Sequence, residues 1–179
     1  EGLAVLISMG QRKQRRVLLE PIVASTLSNG RACSHCRDAS ADTLPWVSPL
    51  LDLSVVVPIY NEVESLPRLV AAINDSLKDT DLHYEILCID DGSTDGSTAL
   101  LRDLTQQYST LRAVILRRNY GQTPAMAAGF NHARGQSIIT LDGDLQNDPA
   151  DIPMLLAKLD EGYDLVTGWR KNRQDAALT

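Results

Sequence analysis

The sequence Ser137-Ile-Ile-Thr-Leu-Asp-Gly-Asp-Leu-Gln-Asn-Asp-Pro149 joins a short apolar run to an acidic, polar stretch. The run has the length and composition of a buried strand, and Asp142 and Asp144 follow directly where it stops. Two acids spaced i, i+2 at a strand end leave the sheet along one edge, and Gly143 between them lets a ligand approach the backbone. Mg²⁺ and Mn²⁺ prefer such carboxylates together with water and substrate phosphate. The stretch therefore predicts a metal-diphosphate site, although acids in this pattern also cap helices.

Short β-branched runs alternate with longer amphipathic stretches from Leu53 onward. This alternation is typical of βαβ units. We predict strands over residues 53–60, 84–91, 111–118, 137–141 and 163–169, and helices over 61–77, 97–108, 124–134 and 151–159, the first of them capped by Asn61. Strict alternation predicts an α/β fold, with a mainly parallel sheet that helices cover on both faces.

Residues 1–50 differ from the rest because they show no sustained periodicity. They contain the basic cluster Gln11-Arg-Lys-Gln-Arg-Arg16, followed by a Ser-, Asn-, Gly- and Cys-rich stretch. We predict a poorly ordered extension here and one domain over residues 51–179.

Composition excludes several classes of protein. The net charge of −6 argues against a nucleic-acid partner, because phosphate backbones are bound by an excess of Lys and Arg. No apolar stretch approaches the ~20 residues that cross a bilayer, so we predict no transmembrane helix. Cys33, Cys36 and Cys88 do not form a disulfide framework, and Cys33 and Cys36 lack the second ligand pair that a zinc site needs. Three thiols favour a reducing, cytoplasmic compartment.

Polar residues lie at the carboxyl ends of all five predicted strands. They are Tyr60-Asn-Glu62, Asp90-Asp91, Arg117-Arg118-Asn119, the stretch from Asp142 to Gln146, and Arg170. Ligands of parallel sheets bind at this edge. Many acids at one edge repel one another unless they share a cation. The pattern therefore predicts a cation-dependent ligand site there.

Four stretches resemble, in order, the successive motifs of glycosyltransferase family 2. They are Val57-Pro-Ile-Tyr-Asn-Glu62, Asp90-Asp-Gly-Ser-Thr-Asp-Gly-Ser97, Arg118-Asn-Tyr-Gly121 and Leu141-Asp-Gly-Asp-Leu-Gln-Asn-Asp-Pro149, within residues 53 to about 173. The Asp-X-Asp-Leu-Gln form and Thr167-Gly-Trp-Arg170 are similar to the polyprenyl-phosphate branch, which includes dolichol-phosphate mannosyltransferases and bacterial undecaprenyl-phosphate sugar transferases.

This resemblance implies a GT-A (Rossmann-like) fold in which residues 51–179 form the donor-binding domain. It implies metal-dependent, inverting transfer of a hexose from a UDP- or GDP-sugar to a polyprenyl or dolichyl phosphate, with Mg²⁺ or Mn²⁺ as cofactor. Family members continue beyond this point with an acceptor-side segment, so the chain is expected to be truncated after its fifth strand. The longer parent is expected at the cytoplasmic face of a membrane.

The resemblance also assigns site residues. The catalytic pair would be Asp142 and Asp144, the metal would be held by Asp144 and Gln146, and the acceptor phosphate would be bound by Arg117 and Arg118. The donor nucleotide-sugar would be bound by Pro58, Tyr60, Glu62, Ile89, Asp91, Asp142, Gly143, Asp144 and Arg170.

Other functions stay open at this point. A family 2 enzyme that glycosylates a saccharide hydroxyl would need a general base, and a truncated chain could bind nucleotide-sugar without turnover. A nucleotidyltransferase would carry a glycine- and basic-rich loop after its first strand, where this sequence is acidic. A phosphatase with an aspartate nucleophile would have a hydroxyl residue shortly after Asp-X-Asp, where this sequence has Leu-Gln-Asn.

Overall fold

The computed structural model describes residues 5–8 and 51–168. Its strands are β1 Val5–Ser8, β2 Leu53–Ile59, β3 Tyr84–Asp90, β4 Leu111–Ile115, β5 Ser137–Thr140 and β6 Leu165–Thr167. Its helices are α1 Leu66–Leu77, α2 Ser97–Gln107, α3 Gln122–His132 and α4 Ile152–Asp160, and a short 3₁₀ helix, Pro149–Asp151, precedes α4.

Within these ranges the strands form a six-stranded sheet in the order β4-β3-β2-β5-β1-β6. The first four in this order are parallel, and a helix joins each of the strands β2, β3 and β4 to the next strand along the chain. β1 is antiparallel to both of its neighbours. The predicted mainly parallel sheet is therefore confirmed. Its carboxyl-terminal edge brings together the loops that follow β2, β3, β4 and β5.

The core has two parts because alternate residues of β2 point to opposite faces of the sheet. Val55 and Val57 pack in a large cluster with apolar residues of α1, α2 and α4. Val56 packs in a smaller cluster that includes Ala125 of α3. Helices thus cover both faces, as predicted, and α3 lies on the less covered face.

β1 was not predicted. It lies within the stretch that we expected to be an extension, and it is inserted between β5 and β6. A four-residue strand whose partners are far away in the sequence leaves no periodic signal. The other residues of 1–50 lie outside the described residues. The predicted fifth strand is shorter than expected, and its neighbour in the described sheet is β1.

The first helix begins later than predicted. Asn61 has a φ of 57°, so it lies in a left-handed turn and is not the N-cap. α1 begins at Leu66, with Ser65 in the N-cap position and Pro67 in the first turn, which suits a residue without an N–H group. A bilayer-spanning helix is not found in the described part of the chain, where the longest helix has 12 residues.

Candidate functional site

A cavity of about 380 Å³ opens at the carboxyl-terminal edge of the parallel strands. It is lined by Pro58, Ile59, Tyr60, Glu62, Asp91, Asn119, Gly121, Gln122, Ala125, Asp142, Gly143 and Asp144. Seven residues that the sequence analysis assigned to the donor are in this set: Pro58, Tyr60, Glu62, Asp91, Asp142, Gly143 and Asp144. The structure therefore brings the acids from three strand ends into one cavity.

The loop after β2 is fixed by the loop after β3. The Asn61 N–H donates to Ser93 Oγ at 2.9 Å, and Asn61 Oδ1 accepts from the Thr94 N–H at 2.9 Å. The Glu62 N–H donates to Ser97 Oγ at 3.0 Å. These bonds hold the cavity residues on either side of Asn61 in place. Tyr60 keeps 47% of its surface exposed, so its ring remains accessible to a ligand.

Asp95 completes the connection between these two loops. Its carboxylate accepts from the Val63 N–H at 3.0 Å and from the Ser97 hydroxyl at 2.6 Å. Desolvation tends to raise the pKa of Asp95, but the hydrogen bonds from Ser97 and Val63 outweigh it, and the pKa lies below its ordinary value. Asp95 is therefore charged at neutral pH and acts as an acceptor only.

The neighbouring acids at the end of β3 have separate structural roles. Asp90 is fully buried and accepts from the Ser93 N–H at 2.9 Å and from the Thr98 hydroxyl. Asp91 is 3% exposed, and its two oxygens accept from the backbone N–H groups of Tyr120 and Gly121, each at 2.8 Å. Asp90 thus shapes its own loop, whereas Asp91 holds the loop after β4.

Gly143 allows the Asp142-Gly143-Asp144 turn to lie against the end of β2. A Cβ atom on Gly143 would lie 3.2 Å from Ile59 Cδ1 and 3.3 Å from the Pro58 carbonyl oxygen. Asp142 is half-buried and accepts from Gln122 Nε2 at 3.2 Å. Asp144 is exposed, and its Oδ1 accepts from the Gln146 N–H at 3.0 Å.

The cavity has a strongly negative lining. Four of the residues that line it are acids, and none of the described lining residues is Lys or Arg. Carboxylates grouped in this way favour a bound cation. Across residues 5–8 and 51–168 no three His, Cys, Asp or Glu side chains converge as a complete set of metal ligands. Mg²⁺ and Mn²⁺ sites that use one or two carboxylates plus ligand phosphate do not need such a set, so the exposed Asp144 carboxylate fits an ion of this kind.

Other predicted site residues lie outside the cavity lining. Ile89 is fully buried in the cluster beneath α3. Arg117 and Arg118 are exposed in the loop after β4, because β4 ends at Ile115, and the Arg118 guanidinium lies 5.0 Å from the centre of the Tyr120 ring. The Gln146 side chain is exposed, and Arg170 lies outside the described residues.

The sequence analysis did not assign five of the lining residues: Ile59, Asn119, Gly121, Gln122 and Ala125. Three of them lie on the loop after β4 or at the start of α3. The Arg118-Asn-Tyr-Gly121 motif was a signal for this wall, but the predicted helix start at Pro124 left Gln122 in a connecting segment. In the structure Gln122 is the first residue of α3.

Comparison with known proteins agrees with this arrangement. The family described as "Glycosyl transferase family 2" matches residues 54–178. The structure is similar to the mannosyltransferase PcManGT from Pyrobaculum calidifontis in complex with GDP-Man and Mn²⁺, with a TM-score of 0.51 and 24% identity over 56% of this chain and 30% of that chain. It is similar to TarS 1-349 of S. aureus in complex with UDP-GlcNAc, with a TM-score of 0.51 and 23% identity over 62% of this chain and 32% of that chain.

The chain therefore spans about a third of the length of these two solved structures. At this level of identity they show the fold, an α/β domain of the GT-A type, which confirms the fold class expected from the sequence. The family match includes every strand and helix from β2 onward except the first residue of β2, Leu53. The chain belongs to glycosyl transferase family 2.

Proposed function

We propose that this chain forms the donor-binding part of a glycosyltransferase that transfers a hexose from a UDP- or GDP-sugar. One observation carries the proposal: the acids from the ends of β2, β3 and β5 line a single cavity at the edge where parallel sheets bind ligands. Family membership supports it. So do the ligands of the two similar structures, which are GDP-Man with Mn²⁺ in one and UDP-GlcNAc in the other.

The negative lining supports a metal-dependent donor site. The Asp142 and Asp144 carboxylates would repel a nucleoside diphosphate unless a divalent cation lay between the diphosphate and these carboxylates. We assign the ion to Asp144, with Gln146 as a second ligand as the resemblance implies, and Asp142 to the ribose and diphosphate. When bound, Mg²⁺ or Mn²⁺ would supply Lewis-acid stabilisation of the departing nucleoside diphosphate.

The wall of the cavity that is formed by the end of β2 and the loop after it suits the nucleoside. Tyr60 offers a half-exposed ring on which a base can stack, and Glu62 offers acceptor oxygens for hydroxyl groups. The Glu62 N–H donates to Ser97 Oγ, and the N–H of Asn61, which follows Tyr60, donates to Ser93 Oγ. This wall would bind and orient the donor, while the Asp142-Gly143-Asp144 turn faces its charged end. Arg170 is proposed to contact the diphosphate as well.

We propose a polyprenyl phosphate as the acceptor, with inversion at the anomeric carbon. A phosphate is already anionic near neutral pH, so the attack needs no general base. Arg117 and Arg118 precede Asn119, which lines the cavity, and both are exposed. They are therefore available to a phosphate beside the cavity. Such an acceptor would place the protein at the cytoplasmic face of a membrane.

Calorimetric titration of the purified chain with UDP and with GDP tests the donor site. We expect binding in the presence of Mn²⁺, loss of binding in EDTA, and at least about tenfold weaker binding for Asp144→Asn. Asp103→Asn is the matched control, because Asp103 is exposed on α2 and outside the cavity. Equal affinity of Asp144→Asn and Asp103→Asn would contradict the metal assignment.

Co-sedimentation with vesicles tests the acceptor. Vesicles that contain polyprenyl phosphate should retain the wild type better than phosphatidylcholine vesicles do. Arg117→Gln and Arg118→Gln should remove this preference, and Arg102→Gln, an exposed change on α2, should not. Transfer of the sugar to saccharide hydroxyls but not to polyprenyl phosphate would show that the acceptor is a saccharide. Donor binding without turnover would assign this chain a nucleotide-sugar-binding role only.

A further inference from the structure

The segment that connects β4 to α3 ends at Gly121, and one wall of the cavity is formed by Asn119, Gly121 and Gln122. Asp91 fixes it from beneath through the N–H groups of Tyr120 and Gly121. Gly121 has a φ of 96°, a left-handed value that glycine adopts without strain. The chain turns at this glycine and enters α3 at Gln122.

α3 is closely packed on the sheet, so the position of its first residue is well determined. A Cβ atom on Gly129 would lie 2.3 Å from Val56 Cγ1 of β2, so a larger residue here would force Val56 or the helix to shift. Ala125, one turn after Gln122, is fully buried. The backbone of Gln122 is thus held by the sheet on one side and by Asp91 through Gly121 on the other.

From this backbone position the Gln122 side chain extends to the acidic turn after β5. Its Nε2 donates to Asp142 Oδ1 at 3.2 Å, and both residues line the cavity. The bond joins two walls that belong to distant parts of the sequence. A hydrogen bond to a carboxylate is shorter-ranged and more directional than charge attraction alone, so it restricts the rotamer of Asp142.

We propose that Gln122 is a positioning residue of the donor site, which holds the Asp142 carboxylate in the orientation that receives the donor; this rests on the proposed function. A carboxamide suits this role because it donates a hydrogen bond without adding positive charge. A Lys or Arg at this position would neutralise Asp142 and compete with a divalent cation. Gln122 therefore orders the acidic cluster and leaves its negative charge available.

Matched variants at neighbouring positions test the role of Gln122. Gln122→Met keeps the length of the side chain and removes its N–H hydrogen-bond donor, and Gln122→Ala also shortens the side chain. Thr123→Ala is the control, because Thr123 is an exposed neighbour on α3 that does not line the cavity. The readouts are the affinity for UDP or GDP with Mn²⁺, measured by calorimetry, and the urea concentration at half-unfolding. We expect both Gln122 variants to bind about tenfold more weakly than wild type, and Thr123→Ala to bind like wild type.

The two readouts separate positioning from a general structural role. Positioning predicts weaker binding by Gln122→Met with an unchanged unfolding midpoint. If Gln122→Met binds like wild type, or if its binding and unfolding midpoint fall together, the inference is overturned while the donor site stands. If the wild type binds neither nucleotide with Mn²⁺, the proposed function fails and this inference fails with it.

Discussion

The Asp91 carboxylate accepts a hydrogen bond from the Gly121 backbone N–H at 2.8 Å, across 30 positions of the sequence. Its second oxygen accepts from the Tyr120 N–H at the same distance. Asp91 is almost completely buried, so its charge is stabilised by these two donors instead of by water. The acid of the second motif thereby determines the position of the third motif.

Asp91→Asn should destabilise the fold and loosen the cavity wall. The amide that replaces one oxygen cannot accept a hydrogen bond and would face a backbone donor. We expect the free energy of unfolding to fall by about 1–3 kcal/mol, measured by urea denaturation. Asp103→Asn is the control, because Asp103 is exposed on α2, and it should change the free energy of unfolding by less than about 0.5 kcal/mol. Similar losses in the two variants would contradict the structural role of Asp91.

Gly92→Ala should destabilise the protein more than Gly162→Ala does. Gly92 has a φ of 70°, and a Cβ atom there would lie 2.5 Å from the Arg118 carbonyl carbon. Gly162 also has a positive φ, 110°, but a Cβ atom there meets nothing within 4 Å. Gly162→Ala should therefore cost about 1–2 kcal/mol from backbone strain alone. Gly92→Ala should cost more because of the added clash. Thermal unfolding of both variants checks this order, and equal midpoints would refute it.

A buried polar cluster lies at the opposite edge of the sheet from the cavity. Glu85 of β3 is 3% exposed. Its carboxylate accepts hydrogen bonds from Ser54 Oγ and from the Arg134 backbone N–H, both at 2.8 Å. It also accepts a hydrogen bond from the Arg112 guanidinium. Burial tends to raise the pKa of Glu85, but the hydrogen bonds from Arg112, Ser54 and Arg134 outweigh it and hold the pKa below its ordinary value. Glu85 is therefore charged in the folded state and joins β2, β3, β4 and the segment after α3.

Glu85→Gln should lower stability at neutral pH by about 2–3 kcal/mol, because Arg112 loses its carboxylate partner. The pKa of Glu85 is lower in the folded state than in the unfolded chain. Its contribution is thus complete above the unfolded pKa, near 4.5, and is lost as the pH falls through the folded value. Unfolding free energy measured between neutral and acidic pH should therefore decline less in Glu85→Gln than in wild type. Glu161→Gln, whose side chain is 56% exposed, should keep the wild-type profile.

Cys88 should be unreactive in the folded protein. It is fully buried in β3, and burial raises the pKa of its thiol to about 12, so the reactive thiolate is not formed. In a variant that carries Cys33→Ser and Cys36→Ser, a disulfide reagent should label Cys88 about a thousandfold or more slowly in buffer than in urea. Labelling at comparable rates in buffer and in urea would show that β3 is not protected.

Much of the central sheet could be predicted from the sequence because local signals coincide with the burial that the fold requires. β2, β3 and β5 are rich in apolar residues and almost completely buried, as expected of strands covered on both faces, and the acids at their ends share one edge. The start of α1 was placed too early because Asn61 has a strong capping preference. Its actual conformation is set by hydrogen bonds to Ser93 and Thr94, which no local pattern reveals.

The cavity was predicted less completely for a similar reason. Asp142 and Asp144 have a recognisable spacing, whereas Gln122 resembles any polar residue at a helix start. Its position depends on Asp91, which binds the preceding Gly121, and on the close packing of Gly129 against Val56. These contacts join residues that are distant in the sequence. They become visible only when the strands are assembled.

The position of β1 has a consequence for the order of folding. Val5 pairs with Thr167, so the pairing closes a loop that contains almost every described residue. Loop closure costs conformational entropy, and contacts of such long range form late. The parallel strands β2 to β5 need only local βαβ connections and can assemble first. We therefore expect β6 to be the last strand of the described sheet to become ordered during refolding.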